Sequence, residues 1–199
     1  MHGRDKFAKH KRLIYGIVWI HQMMPQAVKQ WLTNLYRGVS GTMGLVLRYA
    51  LYKAICPQCG DCVCIYPNVY LMNAIHLSLG DNISIHPMSY IEAYGGIEIG
   101  SEVSIAHGVT IMSVSHGFKE LDIPIRRQDL IPMPVKLGDD VWIGAKATLL
   151  GGIIIGNGCV VGANAVVTKN VPSFSIAVGN PARVIRSRKN GGEKTKYGW

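Results

Sequence analysis

From Cys59 onward an apolar residue returns at every sixth position. The positions fall in groups of three: Cys59, Ile65, Leu71; Leu79, Ile85, Ile91; Ile99, Ile105, Ile111; Leu137, Ile143, Leu149; and Ile155, Val161, Val167. A fixed short period marks a repeat architecture in which each unit buries its apolar side against its neighbours. Six residues make one short strand and one corner, so three hexads close a coil, and successive coils stack in parallel about 4.8 Å apart. The expected fold class is mainly β, a parallel β-helix of about five coils.

A second inward position recurs at the fifth place of the hexad, which holds Val63, Val69, Val103, Val109, Val141, Ala147, Ile153 and Cys159. One large and one small inward side chain per hexad suit a narrow triangular coil. Glycine occupies the second place in seven of the fifteen hexads. The expectation is that these glycines take the positive φ angles of the corners.

The register slips only after the third hexad of a coil: modestly from Leu71 to Leu79 and from Ile91 to Ile99, then widely from Ile111 to Leu137. These excursions should stack along one edge of the prism. The last becomes a long loop arm over 112–136, with His116 at its root. Loops longer than about 12–15 residues are uncommon in compact domains unless functional or disordered, and "LDIPI" and "LIPMPV" read as ordered segments of this one.

The net charge of +9 sits at the ends of the chain. Residues 1–53 carry nine Lys and Arg against one acid, residues 54–182 six against ten, and residues 183–199 six against one. Basic ends suit an anionic membrane surface or a phosphorylated ligand. No run interleaves aromatic and basic residues as in single-strand binders, so nucleic acid is not an expected partner. The apolar "LIYGIVWI" ends at His21 with no small-x-small cleavage site and is too short to span a bilayer, so neither a leader nor a membrane span is expected. The expected organisation is a basic amphipathic helical segment over 1–55, the solenoid over 56–172, and a C-terminal cap with a basic tail over 173–199.

Residues 25–39 open with Pro25 and place Val28, Trp31, Leu32, Leu35, Tyr36 and Val39 on one helical face. That face has two outlets, packing on the first coil or lying in a bilayer interface. Four of the five cysteines crowd into "CPQCGDCVC" at 56–64. An odd, clustered set is unlike a distributed disulfide framework and points to a reducing cytoplasm. Knuckle spacing invites zinc, but Cys59 faces inward and Cys62 and Cys64 flank inward Val63, so the thiols should diverge and no metal is expected.

The arm text "LDIPIRRQ", the run "VKLGDDVWIGAKATLLGGIIIGNGCVVGANAVVTKNVP" and "GNPARVIR" together resemble the hexapeptide-repeat acyltransferases. The likeness is to the O-acetyltransferase branch, which includes maltose, galactoside and nodulation-factor acetyltransferases and many capsule or exopolysaccharide O-acetyltransferases. It spans residues 53–188. It implies a left-handed coil, a homotrimer, acetyl-CoA as co-substrate with no metal, and a carbohydrate acceptor in surface polysaccharide or lipid-linked saccharide synthesis.

His116 matches the family's catalytic histidine. Imidazole, with an ordinary pKa of about 6.5, can take the acceptor hydroxyl's proton at neutral pH. Glu92 and Tyr94, on the same edge one coil earlier, are acceptor-binding candidates. The residue orienting His116 stays open among Glu92, Asp122 and Asp129. The resemblance lays the pantetheine arm along Ala145 and Ala163 and assigns Thr168, Lys169, Arg183 and Arg186 to the nucleotide end. Lys169 and Arg183 also suit a polyanion by charge alone. Trp142 takes an outward slot, at a subunit contact or beside the cofactor.

Two other classes compete. A zinc carbonic anhydrase on the same solenoid needs three convergent histidines, whereas His86 and His107 take the second and third places of their hexads and should not meet His116. A non-catalytic scaffold docked to membrane by its basic ends is the remaining class.

Overall fold

The computed structural model describes residues 3–189; the remainder of the expected basic tail, 190–199, lies outside them. Three helices come first: α1 (Gly3–Gln22), α2 (Gln26–Arg37) and α3 (Gly41–Ile55). Pro25 precedes α2 with φ −57°, the value its ring imposes at a helix start. α3 buries Tyr49, Ala50, Leu51 and Tyr52 because it lies between the other two helices and the first coil.

The solenoid has three parallel sheets. The first joins Gln58–Cys59, Leu77–Leu79, Ile97–Ile99, Val135–Leu137 and Ile154–Ile155. The second runs through Cys64–Ile65, Ser84–Ile85, Ser104–Ile105, Trp142–Ile143, Val160–Val161 and Ser175–Val178, and ends on antiparallel Arg183–Ser187. The third joins Tyr70–Met72, Tyr90–Glu92, Thr110–Met112, Thr148–Leu149 and Val166–Val167.

Ladder partners are successive members of the six-residue series: Cys59 pairs with Leu79, Leu79 with Ile99, Ile99 with Leu137 and Leu137 with Ile155. The long excursion therefore leaves the register intact. First positions are buried throughout, save half-buried Cys59 in the end coil, and the named fifth positions are buried too. Beyond the five coils a partial sixth turn forms, with Val171 bridged to Ile155, Ser175–Val178 on the second sheet and the Ala182 N–H donating to the Val166 carbonyl at 2.8 Å.

The glycine expectation is corrected. The positive φ angles lie at the fourth place of the hexad, on Cys62, Asn68, Asn82, Met88, Glu102, Asp140, Lys146 and Asn164. The second-place glycines are required for a different reason, the close approach of the next coil. A Cβ on Gly144 would lie 2.5 Å from the Ala163 nitrogen, and one on Gly156 2.5 Å from the Ser173 nitrogen. Backbone cannot yield as a side chain would. Gly144→Ala is therefore expected to destabilise by about 2 kcal/mol, read as a thermal midpoint lowered by about 4–8 °C. Asn164→Gly, at a left-handed position with φ 57°, should leave the midpoint within about 2 °C.

The helices close the first coil through Asp61. Its carboxylate accepts hydrogen bonds from Tyr15 Oη at 2.6 Å and Tyr49 Oη at 3.3 Å, and pairs with Lys11 at 2.6 Å and Lys53 at 3.3 Å. Burial pushes this carboxyl's pKa up, but the hydrogen bonds from Lys11, Tyr15 and Lys53 outweigh it and hold the group well below the usual carboxylate range. A depressed folded-state pKa contributes stability that is complete above the unfolded value of about 3.9 and is lost as pH falls through the folded one. Asp61→Asn should thus be less stable than the parent at pH 7, and the gap should close progressively in melts below about pH 4.

Candidate active site

The edge between the third and first sheets collects every excursion. A ladder of backbone bonds runs along it, from Ala93 N to Met72 O at 3.0 Å, Ser113 N to Glu92 O at 3.0 Å, Met133 N to Ser113 O at 2.7 Å and Gly152 N to Met133 O at 3.1 Å. Buried Ser113 pins the arm's root: its hydroxyl donates to Glu92 O at 2.8 Å and accepts from Gly95 N at 2.9 Å. Gly95 is needed there, because a Cβ would stand 2.6 Å from Met133 N.

From this root the arm leaves as a β-hairpin, Val114–His116 against Leu130–Pro132, with His116 opposite Leu130. Gln128 braces its tip, donating from Nε2 to the carbonyls of Glu120 and Ile123, both at 2.8 Å. His116 ends the outgoing strand with its imidazole exposed. Among the described residues that imidazole has no hydrogen-bond partner, so Glu92, Asp122 and Asp129 do not orient it within one chain.

Glu92 has other partners. Its Oε1 accepts from Asn73 Nδ2 at 2.6 Å and from the Tyr94 N–H at 3.1 Å. Asn73, in the left-handed conformation at φ 54°, was not singled out by sequence reasoning. The only available signal was its place in the first excursion, "LMNAIHL", on the edge that later carries the arm. Tyr94 follows Glu92 into the turn and is 43% exposed.

The other expected residues lie elsewhere. Ala145 and Ala163 stack at the corner between the second and third sheets, with the Asn164 N–H donating to Ala145 O at 2.9 Å. Thr168 and Lys169 are exposed just after the last strand of the third sheet, and Arg183 and Arg186 are exposed on the antiparallel strand beside the second. Trp142 faces outward at 44% exposure on the second sheet. One chain thus gathers His116, Glu92 and Tyr94 on one edge and Ala145 and Ala163 on another. Exposed cations and small corner side chains fit a long, anionic thioester lying along a groove.

An open groove of about 980 Å³ lies on the first sheet beside the arm's root, lined by Ile75, His76, Glu98, Ile131, Met133 and Lys136. It contains none of the expected site residues. Its two charged side chains pair with each other, Lys136 with Glu98 at 2.8 Å, and His76 and Ser78 are its other polar side chains.

His86 stacks on Tyr66 at 4.6 Å, and burial together with the His107 charge holds its pKa below the ordinary imidazole value. Among the described residues no three His, Cys, Asp or Glu side chains meet in a metal-binding group, so the zinc-solenoid reading finds no ligand set within one chain. Cys62 takes its corner at φ 57°, and burial pushes the neighbouring Cys64 thiol up. Burial also pushes the Cys56 and Cys59 thiols up, Cys59 to about 12.

Residues 134–169 match the family described as bacterial transferase hexapeptide (six repeats). The chain is 41% identical over 113 residues to a probable acetyltransferase of Mycobacterium tuberculosis, covering 57% of this chain and 38% of that protein's length. It is 30% identical over 141 residues to the galactoside O-acetyltransferase of Escherichia coli, covering 70% of this chain and 68% of the relative. A hexapeptide-repeat acetyltransferase of Vibrio cholerae, solved in complex with acetyl coenzyme A, superposes with a TM-score of 0.73 at 28% identity, over 83% of this chain and 87% of that one. The chain thus spans well under half the length of the mycobacterial relative.

Proposed function

The chain belongs to the hexapeptide-repeat acetyltransferase family, and on that premise we propose that it transfers an acetyl group from acetyl-CoA to a sugar hydroxyl. The acceptor belongs to a surface polysaccharide or a lipid-linked saccharide. The observation that carries this reading is His116, an exposed imidazole without a hydrogen-bond partner among the described residues, held by a braced hairpin over the edge that also presents Glu92 and Tyr94.

His116 accepts the acceptor hydroxyl's proton as the oxygen bonds to the thioester carbonyl carbon. The carbon–sulfur bond then breaks, and the departing thiolate takes the proton back from the imidazolium. Glu92, fixed by Asn73 and the Tyr94 N–H, presents an acceptor for a sugar hydroxyl, and the Tyr94 ring supplies a flat apolar face. Ala145 and Ala163 leave room for the pantetheine arm. Thr168, Lys169, Arg183 and Arg186 serve the phosphates and nucleotide.

Because these two sets sit on different edges of one prism, the working unit is a homotrimer in which one copy's arm meets a neighbour's corner. The apolar side chains that the arm leaves exposed, Leu121 at 95% and Phe118 at 65% among them, favour such a contact. The test is thiol release from acetyl-CoA against a panel of mono-, oligo- and lipid-linked sugars, with mass spectrometry of the product and light scattering of the protein. The reading requires an acetyl ester on one sugar class and a trimer mass. Thiol release that no sugar stimulates would sink the acceptor, and a monomeric active enzyme would sink the shared site.

A further inference from the structure

The helical segment carries apolar surface that the solenoid does not use. α1 buries Ile14 and Val18 against α3, yet on its opposite side Leu13, Trp19 and Ile20 are 69, 63 and 51% exposed, and Met23 just beyond its end is 71% exposed. α2 has a single apolar face, of which Leu32 is buried while Val28, Trp31 and Leu35 stay at 40, 62 and 52%. A helix apolar on two sides has one of them matched to something other than its own fold.

The charges say what. Several cations here are engaged internally: Lys11 and Lys53 with Asp61, Arg48 with buried carbonyls, Arg37 over the Tyr70 ring at 4.2 Å. Lys9 and Arg12 are exposed and have no hydrogen-bond or ion-pair partner among the described residues. Both project on the Leu13–Ile20 side of α1, since positions 9, 12, 13, 16 and 20 share one helical face.

We propose that this face of α1 and α2 docks on an anionic lipid surface, with Trp19 and Trp31 at headgroup depth and Lys9 and Arg12 among the phosphates. The contact is interfacial, because no described helix is long and apolar enough to cross a membrane. A second copy of the chain fits worse, since pairing two segments that each carry nine cations against one acid sets like charges together. The proposal goes beyond the acyl-transfer reading and holds whichever acceptor the solenoid serves.

The experiment is co-sedimentation of the full chain with vesicles of phosphatidylcholine containing about one-third phosphatidylglycerol, and with phosphatidylcholine alone. Binding is expected to the mixed vesicles and to be much weaker to the neutral ones. Lys9→Gln and Arg12→Gln should each weaken it about fivefold. The double variant Trp19→Ser/Trp31→Ser should weaken it more than about tenfold, with its thermal midpoint and its transfer to a soluble sugar unchanged, because both rings lie outside the core. No sedimentation with the mixed vesicles, or undiminished sedimentation of the tryptophan variant, overturns the proposal. So does a lower lipid-free mass for that variant, which would make the face a contact between copies. Absence of acetyl transfer in the parent chain would count against the enzymatic reading only and leave the vesicle result standing.

Discussion

Replacing His116 by alanine is expected to lower kcat/KM for acetyl transfer by about 10²–10⁴-fold, with binding of acetyl-CoA and the thermal midpoint both retained. The split follows from where the side chain sits. His116 holds its place by backbone pairing with Leu130 in the hairpin, while its imidazole is exposed and makes no hydrogen bond among the described residues. Truncation therefore leaves no cavity and no orphaned polar group, the usual sources of large destabilisation. Single-turnover kinetics beside calorimetric titration with acetyl-CoA separates the two quantities. An alanine variant with parental turnover would remove His116 as the base, whatever the family resemblance suggests.

The largest effect on stability is expected at Arg48, which nothing in the repeat pattern marks. It is 1% exposed and lies where α3 meets the solenoid. Its Nε donates to the Ile65 carbonyl at 2.7 Å, and its Nη1 to the carbonyls of Tyr36 and Val39 at 2.8 and 2.7 Å. One guanidinium thus ties the end of α2, the following turn and the first strand of the second sheet to α3. Burial lowers its pKa from the ordinary value, a sign that the charge is held at some desolvation cost.

Exchanging a whole buried ion pair for apolar side chains is often neutral, but here the partners are backbone carbonyls that no substitution removes. Arg48→Met keeps the bulk but takes the side-chain donor from the Ile65 and Val39 carbonyls, while the Tyr36 carbonyl keeps the Val39 N–H. We expect a loss of about 3–5 kcal/mol, seen as a thermal midpoint lower by roughly 10 °C. Arg48→Lys should recover only part of it, because one ammonium cannot span the same three acceptors. A methionine variant melting with the parent would mean that water satisfies the carbonyls and that Arg48 is not the clasp.

The regular part of the molecule was legible because it is local. An inward residue every six positions needs no distant information, and Leu79, Ile99, Leu137 and Ile155 stack as the spacing requires despite the arm between two of them. The edge carrying His116 was legible for the same reason, since each register slip falls after the third hexad. The corners were misread because left-handed backbone leaves no clean residue signature here. Met88, Glu102 and Lys146 adopt it alongside asparagines, while the glycines report a distance between coils.

What the sequence by itself determined is the coil, its inward faces, the edge on which excursions gather, and His116 beside that edge. Tertiary structure alone decided that Glu92 is held by Asn73 across 19 residues, that Arg48 is a clasp, and that α1 and α2 keep apolar side chains outside. The physical reason is one of range. Periodicity records what each residue does against its own coil, whereas those contacts arise where two separately specified elements meet, at a distance set by stacking and loop length.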